Sequence, residues 1–341
     1  MLMRSKTNLV FIVMLIIVLL LTGCAQPSQP GNEVSDLVTE EMNQDYDDME
    51  ITIATGGTGG VYFPLGGAMA NIFNAYVPGL SASAESTGAA LANIDLIRTG
   101  EADVAFTQND ITYYAYTGTE MYAEELDPVE NLRGMAILYP EFVQIVSLGD
   151  SGIEEVEDLR GKKVAVGAEG SGTEANANHI LEVHGINEDD MEEVLNISFA
   201  QAVMKMRSGQ IDAAFVTAGI PTSAIVEMTE TLDVNIVPVR SEIISMISSR
   251  YPFYVEVTIP ERTYTGQSED ITTAAVMAML VVPAELPEGL VYNMTQAIFE
   301  HQESIIAAHD RGNDIMLETA LIGMPVDLHP GAARFYEDHL D

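Results

Sequence analysis

The chain of 341 residues has a single cysteine, Cys24, so no disulfide can close within it and no cysteine-based metal cluster can form. Basic residues are scarce too: 14 Lys and Arg stand against 52 Asp and Glu, a formal net charge of −38. That balance argues against nucleic acid and anionic lipid surfaces as partners. Salt screens such a charge, and the overall acidity leaves the sign of any local pocket open. The six histidines, His179, His184, His301, His309, His329 and His339, lack metal-ligand spacing such as His-Glu-x-x-His, so no metal is expected. Beyond the first residues no apolar stretch approaches the roughly 20 residues that a spanning helix needs.

Familiar catalytic and nucleotide-binding motifs are missing as well. From Gly57 a dinucleotide fingerprint would continue through Gly59 to a third glycine, but Tyr62 stands there. No Gly-Lys-Ser or Gly-Lys-Thr follows either glycine-rich turn, which excludes a P-loop. A hydrolase elbow around Ser171 would need glycine two residues earlier, where the chain has Glu169. The expectation is therefore a protein without cofactor and without enzymatic activity.

At the N-terminus, Arg4 and Lys6 precede an apolar run from Leu9 to Leu21, the pattern of an export signal. Leu21-Thr22-Gly23-Cys24 resembles a bacterial lipobox, which would leave Cys24 lipidated at a new N-terminus. An ordinary signal peptide or an uncleaved anchor is the alternative. Residues from Ala25 to about Asp48 are polar and acidic and bury too little to fold, so they read as a tether.

The body of the chain uses one structural idea twice. Ile51–Ala54 alternates like a strand, Thr55–Gly60 is a glycine-rich turn, and Tyr62–Tyr76 has helical periodicity. Lys163–Val166, Gly167–Gly172 and Thr173–His184 repeat that order. Arg98-Thr99-Gly100-Glu101-Ala102-Asp103-Val104-Ala105-Phe106 is then matched by Arg207-Ser208-Gly209-Gln210-Ile211-Asp212-Ala213-Ala214-Phe215. Each reads as a helix stopped by glycine, an acidic turn and a buried strand. Arg98 and Arg207 are placed to complement helix C-termini rather than to bind a ligand, and Asp103 and Asp212 read as turn and cap residues. The fold class is thus α/β with two lobes of related build. Strand-turn-helix units present backbone N–H groups at strand ends. Thr58 and Gly59 on one side, with Ser171, Gly172 and Thr173 on the other, can hold a carboxylate without any arginine. The polar residues Thr107, Gln108 and Asn109, after the strand Asp103–Phe106, are expected at the same cleft.

At these residues the sequence is similar to the TAXI family of solute receptors, which serve TRAP (tripartite ATP-independent periplasmic) transporters. The resemblance rests on Ala54–Gly67, Glu85–Ala89, Gly100–Asp103, Gly170–Asn176 and Tyr264–Gln267, and it spans nearly all of the chain after the tether. It implies a type II periplasmic-binding-protein fold, with lobe I from 49–138 and 259–341, lobe II from 139–258, and crossings near Leu138–Val146 and Tyr251–Ile259. It also implies an extracytoplasmic, lipid-anchored receptor for glutamate, glutamine or a dicarboxylate such as 2-oxoglutarate, partnered by a TRAP-type membrane permease. Carried over by position, Thr58, Gly59, Tyr62, Ser86, Thr87 and Gln108 meet the ligand from one lobe. Gly170, Ser171, Gly172, Thr173 and Thr217 meet it from the other, while Tyr251 reports closure or packs the hinge. A sensing module for a signalling partner and an exported hydrolase are the competing readings.

Overall fold

The computed structural model describes residues 46, 49–88, 90–123 and 127–340; the expected signal peptide, Cys24 and nearly all of the expected tether lie outside them. Tyr46, within the range assigned to the tether, is buried, and its N–H donates to the Pro78 carbonyl at 3.1 Å. No helix among the described residues is long and apolar enough to cross a membrane.

Alternating and continuous apolar runs produce the strands, and one-sided apolar faces produce the helices. A first unit runs through β1 (Met49–Ala54), α1 (Tyr62–Tyr76), β2 (Leu80–Glu85), α2 (Ala90–Thr99) and β3 (Val104–Gln108). After α3 (Asn109–Thr117) and the long strand β4 (Leu132–Leu148), the pattern repeats. This second unit runs through β5 (Lys163–Gly167), α4 (Gly172–Val183), β6 (Glu193–Asn196), α5 (Phe199–Arg207) and β7 (Ala213–Ala218). The chain continues through α6 (Ser223–Thr231), β8 (Val234–Val237), α7 (Ser241–Arg250), β9 (Val255–Ile259) and a second long strand, β10 (Ile271–Pro283). It finishes with α8 (Glu288–Glu300), α9 (Gln302–Ala308) and α10 (Pro330–His339).

The duplication holds at the level of pairing. β1 is flanked in parallel by β2 and β3, and β5 is flanked in parallel by β6 and β7. The strands β3 and β7 are buried along their whole length, as central parallel strands covered on both faces should be. The acidic turn residues play one role in both copies. Asp103 Oδ2 accepts the Thr52 N–H at 2.9 Å, and Asp212 Oδ2 accepts the Lys163 N–H at 2.8 Å, each tying a turn back to the first strand of its unit. Arg98 and Arg207 are spent on surface pairs with Asp95 and Glu227.

All these strands belong to one ten-stranded sheet of order β2-β1-β3-β10-β4-β7-β5-β6, with β8 on β4 and β9 on β10. β4 passes from one half to the other: residues between Leu132 and Phe142 pair with β10, and Phe142–Ser147 pair with β7. The segment expected as the first crossing, Leu138–Val146, lies within β4. Near the segment expected as the second, β9 folds back as a hairpin on Ile271–Ala275 of β10, and β10 reaches β3.

The first half is knotted around Asn93, which is fully buried on α2. Its Nδ2 donates to the carbonyls of Thr55 and Phe106, at 2.5 and 2.7 Å, and its Oδ1 shares the single proton of the Thr87 hydroxyl with the Thr55 carbonyl. Asn93→Ala takes a donor from the buried Phe106 carbonyl, leaves the Thr55 carbonyl to the Thr87 hydroxyl, and is expected to cost about 2 kcal/mol. Urea denaturation checks this, and a loss well under 1 kcal/mol would remove Asn93 from its structural role.

Candidate functional site

A cavity of about 490 Å³ lies at the carboxyl ends of β1, β3, β5 and β7, where open α/β sheets place their ligands. Its walls begin with the turn Thr55–Val61 and Tyr62 from the first half, joined by Ser86, Thr87 and Gln108. The opposite wall is Ser171, Gly172 and Thr173 at the start of α4, Ser198–Gln201 at the start of α5, and Thr217 on β7. Three helices, α1, α4 and α5, thus direct their N-terminal turns at one space. The unpaired N–H groups there carry partial positive charge.

Local sequence explains each start. Ser171 is the N-cap of α4, its Oγ accepting the Glu174 N–H at 3.1 Å. Ser198 caps α5 in a reciprocal box with Gln201. The first turn is braced from behind: Ser86 Oγ donates to the Gly56 carbonyl and Thr87 Oγ1 to that of Thr55, both at 2.9 Å. These hydroxyls were expected to donate to the ligand; their protons instead hold the glycine-rich turn in place.

At the cavity's edge stands a carboxylate that sequence reasoning missed. Glu141 of β4 is 3 % exposed, and its Oε2 accepts from Tyr62 OH at 2.9 Å and Gln108 Nε2 at 2.8 Å. Burial pushes the Glu141 carboxyl up to about 8, against the lowering effect of these hydrogen bonds. Burial, and next the Glu141 charge, likewise raise the Tyr62 phenol well above its usual value. Glu141 is the one acidic or basic side chain among the described residues lining the cavity. Two further polar atoms at this wall, Gln108 Oε1 and Thr217 Oγ1, are buried without a protein partner.

The two halves are closed on one another around this space. The Gly59 carbonyl accepts the Ala224 N–H, and the Gly170 carbonyl accepts the Leu91 N–H, each at 3.1 Å. Gly172 approaches Gln108 so closely that a Cβ on it would lie 1.9 Å from Oε1. Beside the cavity a second set of polar groups bridges the halves: Asn176 Nδ2 donates to Asp110 Oδ2 at 2.9 Å and to Tyr254 OH at 2.7 Å, and Tyr254 OH meets His179 Nδ1 at 2.9 Å.

Most residues singled out from sequence therefore meet in one place: Thr58, Gly59, Tyr62, Ser86, Thr87, Gln108, Ser171, Gly172, Thr173 and Thr217 all line the cavity. Gly170 does not; with φ at +70° it turns its carbonyl to Leu91 and its N–H to Glu174 Oε2. Tyr251 is also elsewhere, stacked on His179 with centroids 3.7 Å apart and bonded to Glu182 in a separate groove. Asn109 is structural, its Oδ1 accepting the N–H groups of Asp110 and Met277. Missed were Glu141, Asn196 and Ser198–Gln201. For α5 the Ser-x-x-Gln signature was a usable signal, and for Glu141 it was a lone acid inside an apolar strand.

Solved structures with the same arrangement share little sequence. A protein of Bordetella bronchiseptica RB50 is 19% identical over 86% of this chain and 84% of its own, with a TM-score of 0.51. MatC from Rhodopseudomonas palustris, solved with bound malate, is 12% identical, covering 85% and 97%, with a TM-score of 0.52. PhnD1 from Prochlorococcus marinus MIT 9301, in complex with methylphosphonate, is 11% identical, covering 78% and 91%, at 0.51. These likenesses speak to the fold, an α/β architecture of the two-lobed type II periplasmic-binding-protein class. Residues 53–339 match the NMT1-like family, and across that extent the chain belongs to it.

Proposed function

We propose that the protein is an extracytoplasmic solute receptor of the TAXI type, lipid-anchored through Cys24, which captures a small carboxylate and delivers it to a TRAP-type membrane permease. The observation that carries this reading is the cavity shared by two halves, with three helix N-termini turned into it. Backbone N–H groups at such termini bind a carboxylate without a basic side chain. A solute that touches both walls favours the closed form by its difference in affinity for the two states. The permease then distinguishes loaded from empty receptor by shape. The mechanism needs no nucleophile, and the cavity holds neither a Ser-His pair nor a cysteine among its described lining residues. Glutamate, glutamine and 2-oxoglutarate are the candidate ligands.

Thermal melting of the purified full chain tests this. At least one of the three, at about 100 times its Kd, is expected to raise Tm by about 5 °C, as mass action requires of a ligand bound only by folded protein. No shift with any of them would refute the proposed ligand class.

A further inference from the structure

The cavity is lined with hydrogen-bond donors and neutral groups, and among its described lining residues Glu141 alone is a carboxyl or a base. No arginine or lysine stands among the described lining residues, and Arg311, which acts on the neighbouring Tyr139, is paired with Asp314. A buried carboxylate without a cation is unfavourable unless an occupant or a proton compensates it. Glu141 Oε2 is already occupied by Tyr62 and Gln108, while no hydrogen bond among the described residues reaches Oε1. Next to it, Gln108 Oε1 is a second buried acceptor without a partner. Gln108 cannot easily turn this acceptor away, because its Nε2 is held by Glu141 and its backbone carbonyl accepts from Thr112. Glu141 Oε1 is thus left at one end of a cavity whose other walls supply N–H donors, with Gln108 Oε1 buried beside it against Gly172.

Resting on the receptor reading above, we infer that Glu141 and Gln108 form a subsite for a protonated amine, so that the ligand is a zwitterionic amino acid. Its carboxylate lies on the N-terminal turns of α1, α4 and α5, and its ammonium group takes Glu141 Oε1 and Gln108 Oε1. A ligand that is wholly anionic brings a second negative charge to Glu141 and no donor for either acceptor. The inference therefore divides the proposed ligands: glutamine and glutamate fit, and 2-oxoglutarate does not. A neutral, protonated Glu141 that donates to a ligand carboxylate is the opposing arrangement, and proton linkage separates the two. The titratable groups acting on Glu141 are Tyr62 from α1, which hydrogen-bonds to it, and Asp110 from α3. Tyr139 of β4 also feels the Glu141 charge, and is itself influenced by Arg311.

The experiment is isothermal titration of the full chain with L-glutamine, L-glutamate, 2-oxoglutarate, glutarate and the remaining common amino acids, at pH 7 in buffers of differing ionisation enthalpy. The expected result is binding of an amine-bearing probe, with release of close to one proton as Glu141 passes from its protonated to its ionised form, and at least about 30-fold weaker binding of the deaminated counterpart. Glu141→Gln should weaken the amine-bearing probe by roughly 30-fold or more, leaving the deaminated one unchanged or improved. Proton uptake, or equal binding of glutarate or 2-oxoglutarate, would overturn the ammonium assignment and leave the receptor reading intact. Silence from every probe would overturn both. Because proton linkage is read on the unaltered protein, the test does not depend on the variant folding.

Discussion

Gly172→Ala is expected to abolish high-affinity ligand binding while leaving the protein folded. A Cβ at Gly172 would lie 1.9 Å from Gln108 Oε1 and 2.4 Å from its Cδ. Gln108 has no free direction in which to retreat, since it is anchored to Glu141 and buried at 3 % exposure. Either the halves stay apart or the Gln108–Glu141 bond breaks. Overpacking of 1–3 kcal/mol together with a lost hydrogen bond to a charged group amounts to about 3–4 kcal/mol, roughly a hundredfold or more in Kd. The same methyl is harmless in an open protein, because Gly172 opens α4 with ordinary helical geometry and alanine favours helix. Unliganded Tm should therefore stay within about 2 °C of the parent. Calorimetry that finds affinity within threefold of the parent would show that closure does not bring α4 onto Gln108.

The unliganded protein is expected to lose stability as pH rises from 6.5 towards 9. Glu141 is raised by burial from 4.5 to about 8, so the native state holds a proton that the unfolded chain has released. A carboxyl shifted this way contributes stability that is complete below its unfolded value and is lost as pH climbs through its folded value. Asp110, raised by burial from 3.8 to about 6, acts in the same sense at lower pH. His179 opposes it: burial lowers that imidazole from 6.5 to about 4, and its contribution is lost as pH falls through that window. Above pH 6.5 the Glu141 slope remains, and over its full range it is worth at most about 5 kcal/mol. Denaturant melts at half-unit intervals measure it, and Glu141→Gln should flatten the profile. Stability that is level or rising between pH 7 and 8 in the parent would mean Glu141 is ionised without strain.

The duplication was legible because it is written in features that sequence displays directly. Glycine turns after alternating strands, and the paired runs around Asp103 and Asp212, carry their own geometry, and the structure returns them as two units with one pairing order. Residues brought to the cavity by those turns followed at once. The partners of β9 and β10 were not legible, because both are strands and only the pairing register shows that β9 stays on β10 while β10 reaches β3. Glu141 was hidden for a different reason. Along Met135–Val146 nearly every residue is apolar, and its acid sits in a stretch recognised only as a crossing. What gives it meaning is a tyrosine 79 positions earlier and a glutamine 33 positions earlier, a convergence that local patterns do not encode. Tyr251 and Gly170 lie near the right elements in sequence but outside the cavity lining, Tyr251 stacked on His179 and Gly170 bonded to Leu91 and Glu174.

Glu141 is carried by the connecting strand β4, and both of its hydrogen bonds go to the first half, through Tyr62 and Gln108. Under the receptor reading proposed above, parting of the halves would leave this carboxyl standing with the first wall, while α4 and α5 are the elements that come and go.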